Sequence, residues 1–321
     1  MTALAEPLDL YAELESHRVE LMGYTYRMLG SAFEADDAVQ ETLVRAWRGL
    51  GQFDGRASLR SWVYAIATNV CLTMLRSRKR RALPVDIEAS DVEPLWLQPI
   101  PDHRALPQTD DPSDSVTGQE SIRLAFVAAL QHLPPRQRAV LILRDVLRWR
   151  AAEVVELLDT TPASVKSLLQ RARTAIAALP PSAVREGALG VQQQELLARY
   201  VDAFERYDVA DLVALLHDEA TVSMPPLPVC LRGHAVIDNW WRTETAACRG
   251  SRMVPVAANG APAFAHYRRH PEGDGWRAFA IHVLDVAGDG IRAIECFIEP
   301  ELFALFDLPD RLDAEQAAFS S

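Results

Sequence analysis

Between Arg60 and Arg81 the chain has no acidic residue, while Arg76, Arg78, Lys79, Arg80 and Arg81 crowd the end of this stretch. Guanidinium and ammonium groups gathered in this way neutralise phosphates locally, although the chain as a whole carries a net charge of -11. A second group, Lys166, Gln170 and Arg173, recurs at spacings of four and three, which puts basic and amide side chains on one side of a helix. Such side chains match the donor and acceptor pattern of base edges in a major groove. A third group, Asp37, Gln40, Glu41 and Val44, lies off the apolar stripe formed by Val39, Leu43, Ala46 and Leu50, so it is free to meet solvent or a partner. Acid–base chemistry would need a tuned carboxyl or imidazole, for which His217, Asp218, His282 and Glu295 are available. None of them sits in a diagnostic spacing. Cys71, Cys230, Cys248 and Cys296 show no CxxC or His-Cys spacing, so buried free thiols are expected rather than a disulfide framework or a zinc site.

These groups need elements to hold them. From about Leu8 to Arg81 helical periodicity, broken at Gly30-Ser31 and between Gly49 and Ser58, predicts three or four helices. Residues 84–119 change to Pro, Asp and Ser, with Pro84, Pro94, Pro99, Pro101, Pro107 and Pro112 set against any long helix, and acidic residues that should keep the segment extended. Glu120 to Leu179 is helical again, closed by Pro180-Pro181. Inside it, Ala151 to Leu158, a turn at Asp159-Thr160, and a helix from Thr161-Pro162 to about Ala178 read as a helix-turn-helix. Val165, Leu169, Ala172 and Ile176 form the inward stripe of the second helix. From Gln192 the pattern becomes mixed: helices near 194–207, 210–217 and 234–243, with strands near 221–224, 263–267, 276–286 and 290–298.

Two of these segments resemble the sigma-70 family, in its compact extracytoplasmic-function (ECF) group, which keeps sigma regions 2 and 4. The first is Glu34-Ala-Asp-Asp-Ala-Val-Gln-Glu-Thr-Leu-Val-Arg-Ala-Trp47, followed by Phe53 to Trp62 and Val63 to Asn69. The second is Leu133-Pro-Pro-Arg-Gln-Arg-Ala-Val-Leu-Ile-Leu-Arg-Asp145, with Thr161 to Arg173 downstream. The resemblance implies that Asp37, Gln40, Glu41 and Val44 dock on core RNA polymerase. It also implies that Trp62, Asn69, Arg76, Arg78, Lys79 and Arg80 read and melt the promoter's -10 element, where aromatic, amide and Arg groups can hold unstacked bases. Ser164, Lys166, Ser167, Gln170, Arg171 and Arg173 would meet the -35 element. The sequence departs from the family's pattern at the turn, where Asp159 replaces a glycine and must take a left-handed conformation at some cost. Residues from about 192 to 312 look like the SnoaL-like members of the nuclear-transport-factor superfamily, on the stretch Tyr200 to Ala220, Met224-Pro-Pro226 and Gly233 to Trp241.

The expected fold is multidomain: two all-α sigma domains, a helical bundle at 8–83 and a helix-turn-helix at 120–180, joined by the acidic linker and followed by an α+β SnoaL-like cone at 192–312. The expected function is promoter-specific initiation with core RNA polymerase and promoter DNA as partners, no catalysis and no cofactor or metal. The C-terminal domain is then a modulator, restraining the sigma domains or binding an unidentified small-molecule ligand. Two alternatives stand beside this one: a SnoaL-like acid–base enzyme at the C-terminus, and a DNA-binding repressor or activator that works without polymerase. No apolar run reaches the roughly 18 to 20 residues of a membrane span, and the acidic start is unlike a signal peptide, so a cytoplasmic location with no membrane partner is expected.

Overall fold

The computed structural model describes residues 7–53, 55, 57–81, 97–108, 111–178, 190–270 and 275–313; the side chains of 7–10, 78–81 and 112–114 are outside the description. The chain divides into two compact units, residues 1–98 with 103–182, and residues 99–102 with 183–321.

The first unit is all helical. Helices α1 (Pro7–Ser16), α2 (Arg18–Leu29), α3 (Ala32–Gly49) and α4 (Leu59–Arg81) form the N-terminal bundle. Ser31 starts α3 by accepting the backbone N–H of Glu34, which satisfies an otherwise orphaned donor. Val39 and Ala46 are fully buried and Leu43 nearly so, as the apolar stripe requires. At the bundle's centre the Tyr24 and Thr68 hydroxyls are 2.7 Å apart.

Helices α5 (Asp102–Ala105) and α6 (Pro112–Ile122) follow. Pro112, one of the prolines set above against any long helix, begins a helix of 11 residues. Proline lacks the N–H that a first helical position leaves unused anyway, and Ser115 N–H already bonds back to the Asp111 carbonyl. Ile100 and Ala105 are buried, so the middle of the acidic segment is packed, not extended. Of the prolines named above, Pro84, Pro94 and Pro180-Pro181 lie outside the described residues.

Helices α7 (Leu124–Gln131), α8 (Pro135–Leu141), α9 (Ala151–Leu157) and α10 (Pro162–Ala177) complete the unit, with a π-helical turn Ile142–Val146 after α8. Between α9 and α10, Asp159 has φ 45°, the left-handed conformation that its position demanded. The N–H groups of Asp159 and Thr160 bond to the Glu156 and Val155 carbonyls, a Schellman closure of α9. Thr161 then caps α10 by accepting Ser164 N–H at 3.2 Å, with Pro162 at the first position. Glycine carries no Cβ penalty in this conformation. Asp159→Gly is therefore expected to stabilise the unit by about 1 kcal/mol, a rise in Tm of about 2–4 °C by thermal denaturation.

In the second unit, α11 (Val191–Arg206), α12 (Val209–Ala214) and α13 (His234–Glu244) cover a curved sheet. Its strands are β1 (Leu216–Ser223), β2 (Cys230–Arg232), β3 (Arg252–Ala258), β4 (Ala261–Arg269), β5 (Trp276–Ala287) and β6 (Gly290–Phe297), in the order β2-β1-β6-β5-β4-β3. The β1–β6 pair is parallel; the others along this path are antiparallel. A short α14 (Leu302–Leu305) and β7 (Arg311–Leu312), paired with β5, close the unit. The core under the helices contains Tyr200, Phe204, Leu212, Ile237, Leu284 and Ile294.

Candidate functional site: an exposed face of α3, basic faces of α4 and α10, and an apolar cavity

Asp37, Gln40, Glu41 and Val44 are all exposed on one face of α3. Glu41 pairs with Arg45 at 2.6 Å, and Gln40 donates to Asp36 at 2.6 Å. The same face continues into Trp47, which is 63% exposed and stands beside the four residues named for it. Its spacing of three from Val44 was the available signal. A large exposed aromatic beside acidic groups is the composition of a protein-binding surface, where tryptophan often anchors the contact.

On α4, Asn69 and Arg76 are exposed, and Trp62 is half-buried with its ring 5.1 Å from that of Phe53. Arg78, Lys79 and Arg80 extend the same helix, but their side chains lie outside the description. On α10, Lys166, Ser167, Gln170, Arg171 and Arg173 are exposed while Val165 and Ala172 are buried, so the inward and outward faces fall where the spacing put them. Ser164 is half-buried, its backbone N–H spent on the cap. Arg171 donates to Ser167 at 2.8 Å, and Arg173 is held by both oxygens of Asp145 at 2.7 and 2.9 Å. Arg173 thus enters any DNA contact already paired.

The two helical regions of the first unit pack on each other. Arg60 of α4 stacks over Tyr64 and over Trp149 at 5.3 and 5.1 Å and pairs with Glu20 at 2.8 Å; the Tyr64 and Trp149 rings are 4.9 Å apart. Deeper in, the guanidinium of Arg27 donates to the Ser121 carbonyl at 3.0 Å and to its hydroxyl. Burial lowers the Arg27 pKa to about 10. Arg138, also buried, donates to the Met28 carbonyl and to Gln131, and Gln131 donates to the Arg27 carbonyl at 3.2 Å.

In the second unit a cavity of about 170 Å³ opens between the sheet and its helices, lined among others by Phe204, Met224, Trp240, Trp241 and Phe279. His266 and His282 also line it. They belong to a chain of hydrogen bonds: Tyr200 hydroxyl to His282 Nδ1 at 2.9 Å, His282 Nε2 to His266 Nδ1 at 3.2 Å, and His266 Nε2 to Ser251 Oγ at 2.8 Å. Two neutral rings satisfy every link in either direction, and burial holds both neutral, pushing His282 down to about 3 and His266 well below its ordinary value.

The four acid–base candidates are not brought together. His217 bonds to the Ala287 carbonyl at 2.7 Å, and Asp218 is exposed. Strand alternation turns Glu295 away from the face that carries Ile294 and Cys296 into the helix-covered core. Only His282 lines the cavity. The cysteines also differ from expectation: Cys71 and Cys296 are buried, but Cys230 is exposed on β2, a three-residue strand at the sheet's end, and Cys248 is half-buried.

Burial and then Asp285 push the Glu295 carboxyl up to about 7. The folded state therefore keeps a proton that the unfolded chain releases above about 4.5, and stability is lost as pH rises from there to about 7. Glu295→Gln is expected to raise Tm by a few degrees at pH 8 and hardly at all at pH 4, as thermal melts at the two values will read.

The chain therefore combines a helical bundle, a helix-turn-helix and an α+β cone. Models of Sigma-70 region 2, Sigma-70 region 4 and the SnoaL-like domain match residues 14–81, 123–176 and 197–294. This defines a two-region sigma-70 protein with a SnoaL-like third domain. The ECF RNA polymerase sigma factor SigG of Mycobacterium tuberculosis strain H37Rv is 44% identical, over 95% of this chain and 85% of its own length. The chain belongs to the ECF RNA polymerase sigma factors. SigJ of the same strain is 32% identical over 65% of this chain and 63% of its own. The crystal structure of the Mycobacterium tuberculosis sigma factor SigJ has the same overall fold, with a TM-score of 0.62 at 23% identity, covering 93% of this chain and 99% of that one.

Proposed function

We propose that this chain acts in the cytoplasm as a promoter-recognition subunit without catalytic activity. In this reading Asp37, Gln40, Glu41, Val44 and Trp47 bind core RNA polymerase. Trp62, Asn69, Arg76, Arg78, Lys79 and Arg80 act on the -10 element, and Ser164, Lys166, Ser167, Gln170, Arg171 and Arg173 on the -35 element. The supporting observation is that an exposed acidic-apolar face on α3 and an exposed basic-amide face on α10 occur in one chain, each backed by a buried stripe. A repressor would need the second face alone. Run-off transcription with purified core polymerase decides between them: promoter-dependent transcripts are expected, and their absence at every ionic strength would reject the assignment.

The C-terminal domain regulates the other two and binds a small molecule. What supports this is the placement of Pro99–Asp102, a piece of the segment between the sigma regions, within the C-terminal unit. Ile100 N–H donates to Asn259 Oδ1 at 2.9 Å, Asn259 N–H donates to the Ile100 carbonyl at 3.1 Å, and Gly260 N–H donates to Asp102 Oδ1 at 2.8 Å. A domain that holds the linker can govern how far the linker reaches. Against catalysis stand the two neutral imidazoles, whose nitrogens are all engaged with one another and with Tyr200 and Ser251.

A further inference from the structure

Arg268, Arg277 and Arg311 form one row across three adjacent strands: Arg277 of β5 stands opposite Arg268 of β4 on one side and opposite Arg311 of β7 on the other. Directly opposed residues point to the same face of a sheet, and neighbouring strands lie about 4.8 Å apart, so three guanidinium stems leave one face within about 10 Å. Arg277 and Arg311 are exposed. Arg268 is half-buried, with its Nε donating to the Ala247 carbonyl at 3.2 Å and its guanidinium 4.4 Å over Phe279. Like charges set opposite one another repel, and among the described residues none of the three has a carboxylate partner. Arg206, Arg242, Arg252 and Arg292 of the same unit are all paired. The row is thus a cationic strip on a chain of net charge -11, and local charge is what a polyanion meets.

The composition of the strip selects among polyanions. A protein partner normally buries an apolar anchor, yet the large apolar side chains that stand exposed among the described residues, such as Leu227 and Val236, lie outside β4, β5 and β7. A phosphodiester backbone asks only for closely spaced positive charge and the forked donors of arginine. We infer that Arg268, Arg277 and Arg311 hold the phosphate backbone of duplex DNA without reading its sequence, a contact of the C-terminal unit separate from those assigned to α4 and α10. It adds affinity and no selectivity.

Salt titration of the full-length chain on a short duplex of unrelated sequence tests this without polymerase or promoter, so the outcome is independent of promoter recognition. Each phosphate contact contributes about one to the slope of log K against log[salt]. Arg277→Ala with Arg311→Ala is expected to reduce that slope by about two, and to keep or raise Tm because a repulsive row is relieved. Arg277→Lys with Arg311→Lys keeps the charge and should keep the slope. Arg206→Ala with Arg242→Ala removes two paired cations of the same unit and should leave the slope unchanged. An unaltered slope in the Arg277 and Arg311 alanine pair, an equal fall in the Arg206 and Arg242 pair, or no binding of the duplex at about 50 mM salt would each overturn the inference. Displacement of the duplex by an equal charge of polyglutamate would overturn it in favour of an acidic protein partner.

Discussion

Replacing Lys166, Gln170 and Arg171 together by alanine is expected to lower transcription from the cognate promoter by at least about 100-fold, since each base-edge contact is worth roughly 1–3 kcal/mol. All three side chains are exposed on α10, and the cap at Thr161 with the buried Val165 and Ala172 holds that helix rigidly. The triple variant should keep its Tm, because none of the three packs in the core. Arg173→Ala should behave differently. Its guanidinium is already bound by both oxygens of Asp145, so part of its charge is neutralised before DNA arrives, and its loss is expected to lower transcription by about tenfold at most, the worth of one modest contact and well below the loss in the triple variant. Run-off assays of the two variants beside the unaltered chain make the comparison. A large loss for Arg173→Ala with a small one for the triple variant would mean that a different face of α10 enters the groove.

The helical half of the chain was open to reading because its signals are local. A stripe of Val165, Leu169, Ala172 and Ile176, a Thr-Pro start and a left-handed Asp159 each depend on a few neighbours, and each lies where the spacing put it. What was not legible depends on contacts far along the chain. β3 escaped notice because Pro255 breaks its pattern; the strand tolerates proline since it lies at the sheet's end, where Pro255 has only Phe264 of β4 opposite it. Glu295 was placed among candidates for the cone's interior, but which face of β6 points inward is fixed by the register against β5 and β1. Gly23, in the middle of α2, gives no local reason to avoid alanine. Its cause is distant: a Cβ there would run into the Ala105 carbonyl. Trp149 similarly reads as an ordinary core tryptophan until Arg60 and Tyr64 are found against it.

That contact leads to the other large expected effect, an opening of the helical unit. Elements named -10 and -35 lie roughly 25 base pairs apart, about 85 Å along a duplex at ~3.4 Å per base pair. Helix α4 and the helix-turn-helix cannot span that distance while the Tyr64 and Trp149 rings are 4.9 Å apart. The roughly 30 residues between α4 and α6 reach about 100 Å when extended, so separation is sterically available once this contact and the packing of Ile100 and Ala105 are both released. The interface is suited to breaking. Its centre holds Arg27 on neutral oxygens of Ser121, and separation returns a desolvated charge to water, which offsets part of the apolar burial lost. Arg60→Ala with Trp149→Leu removes the stacking and the Glu20 pair while keeping an apolar side chain at 149. The double variant is expected to show a larger radius of gyration by small-angle scattering and to bind promoter duplex, without polymerase, about tenfold or more above the unaltered chain. If the two proteins scatter alike and bind alike, the packing of the two regions does not limit promoter access, and control must lie in the linker alone.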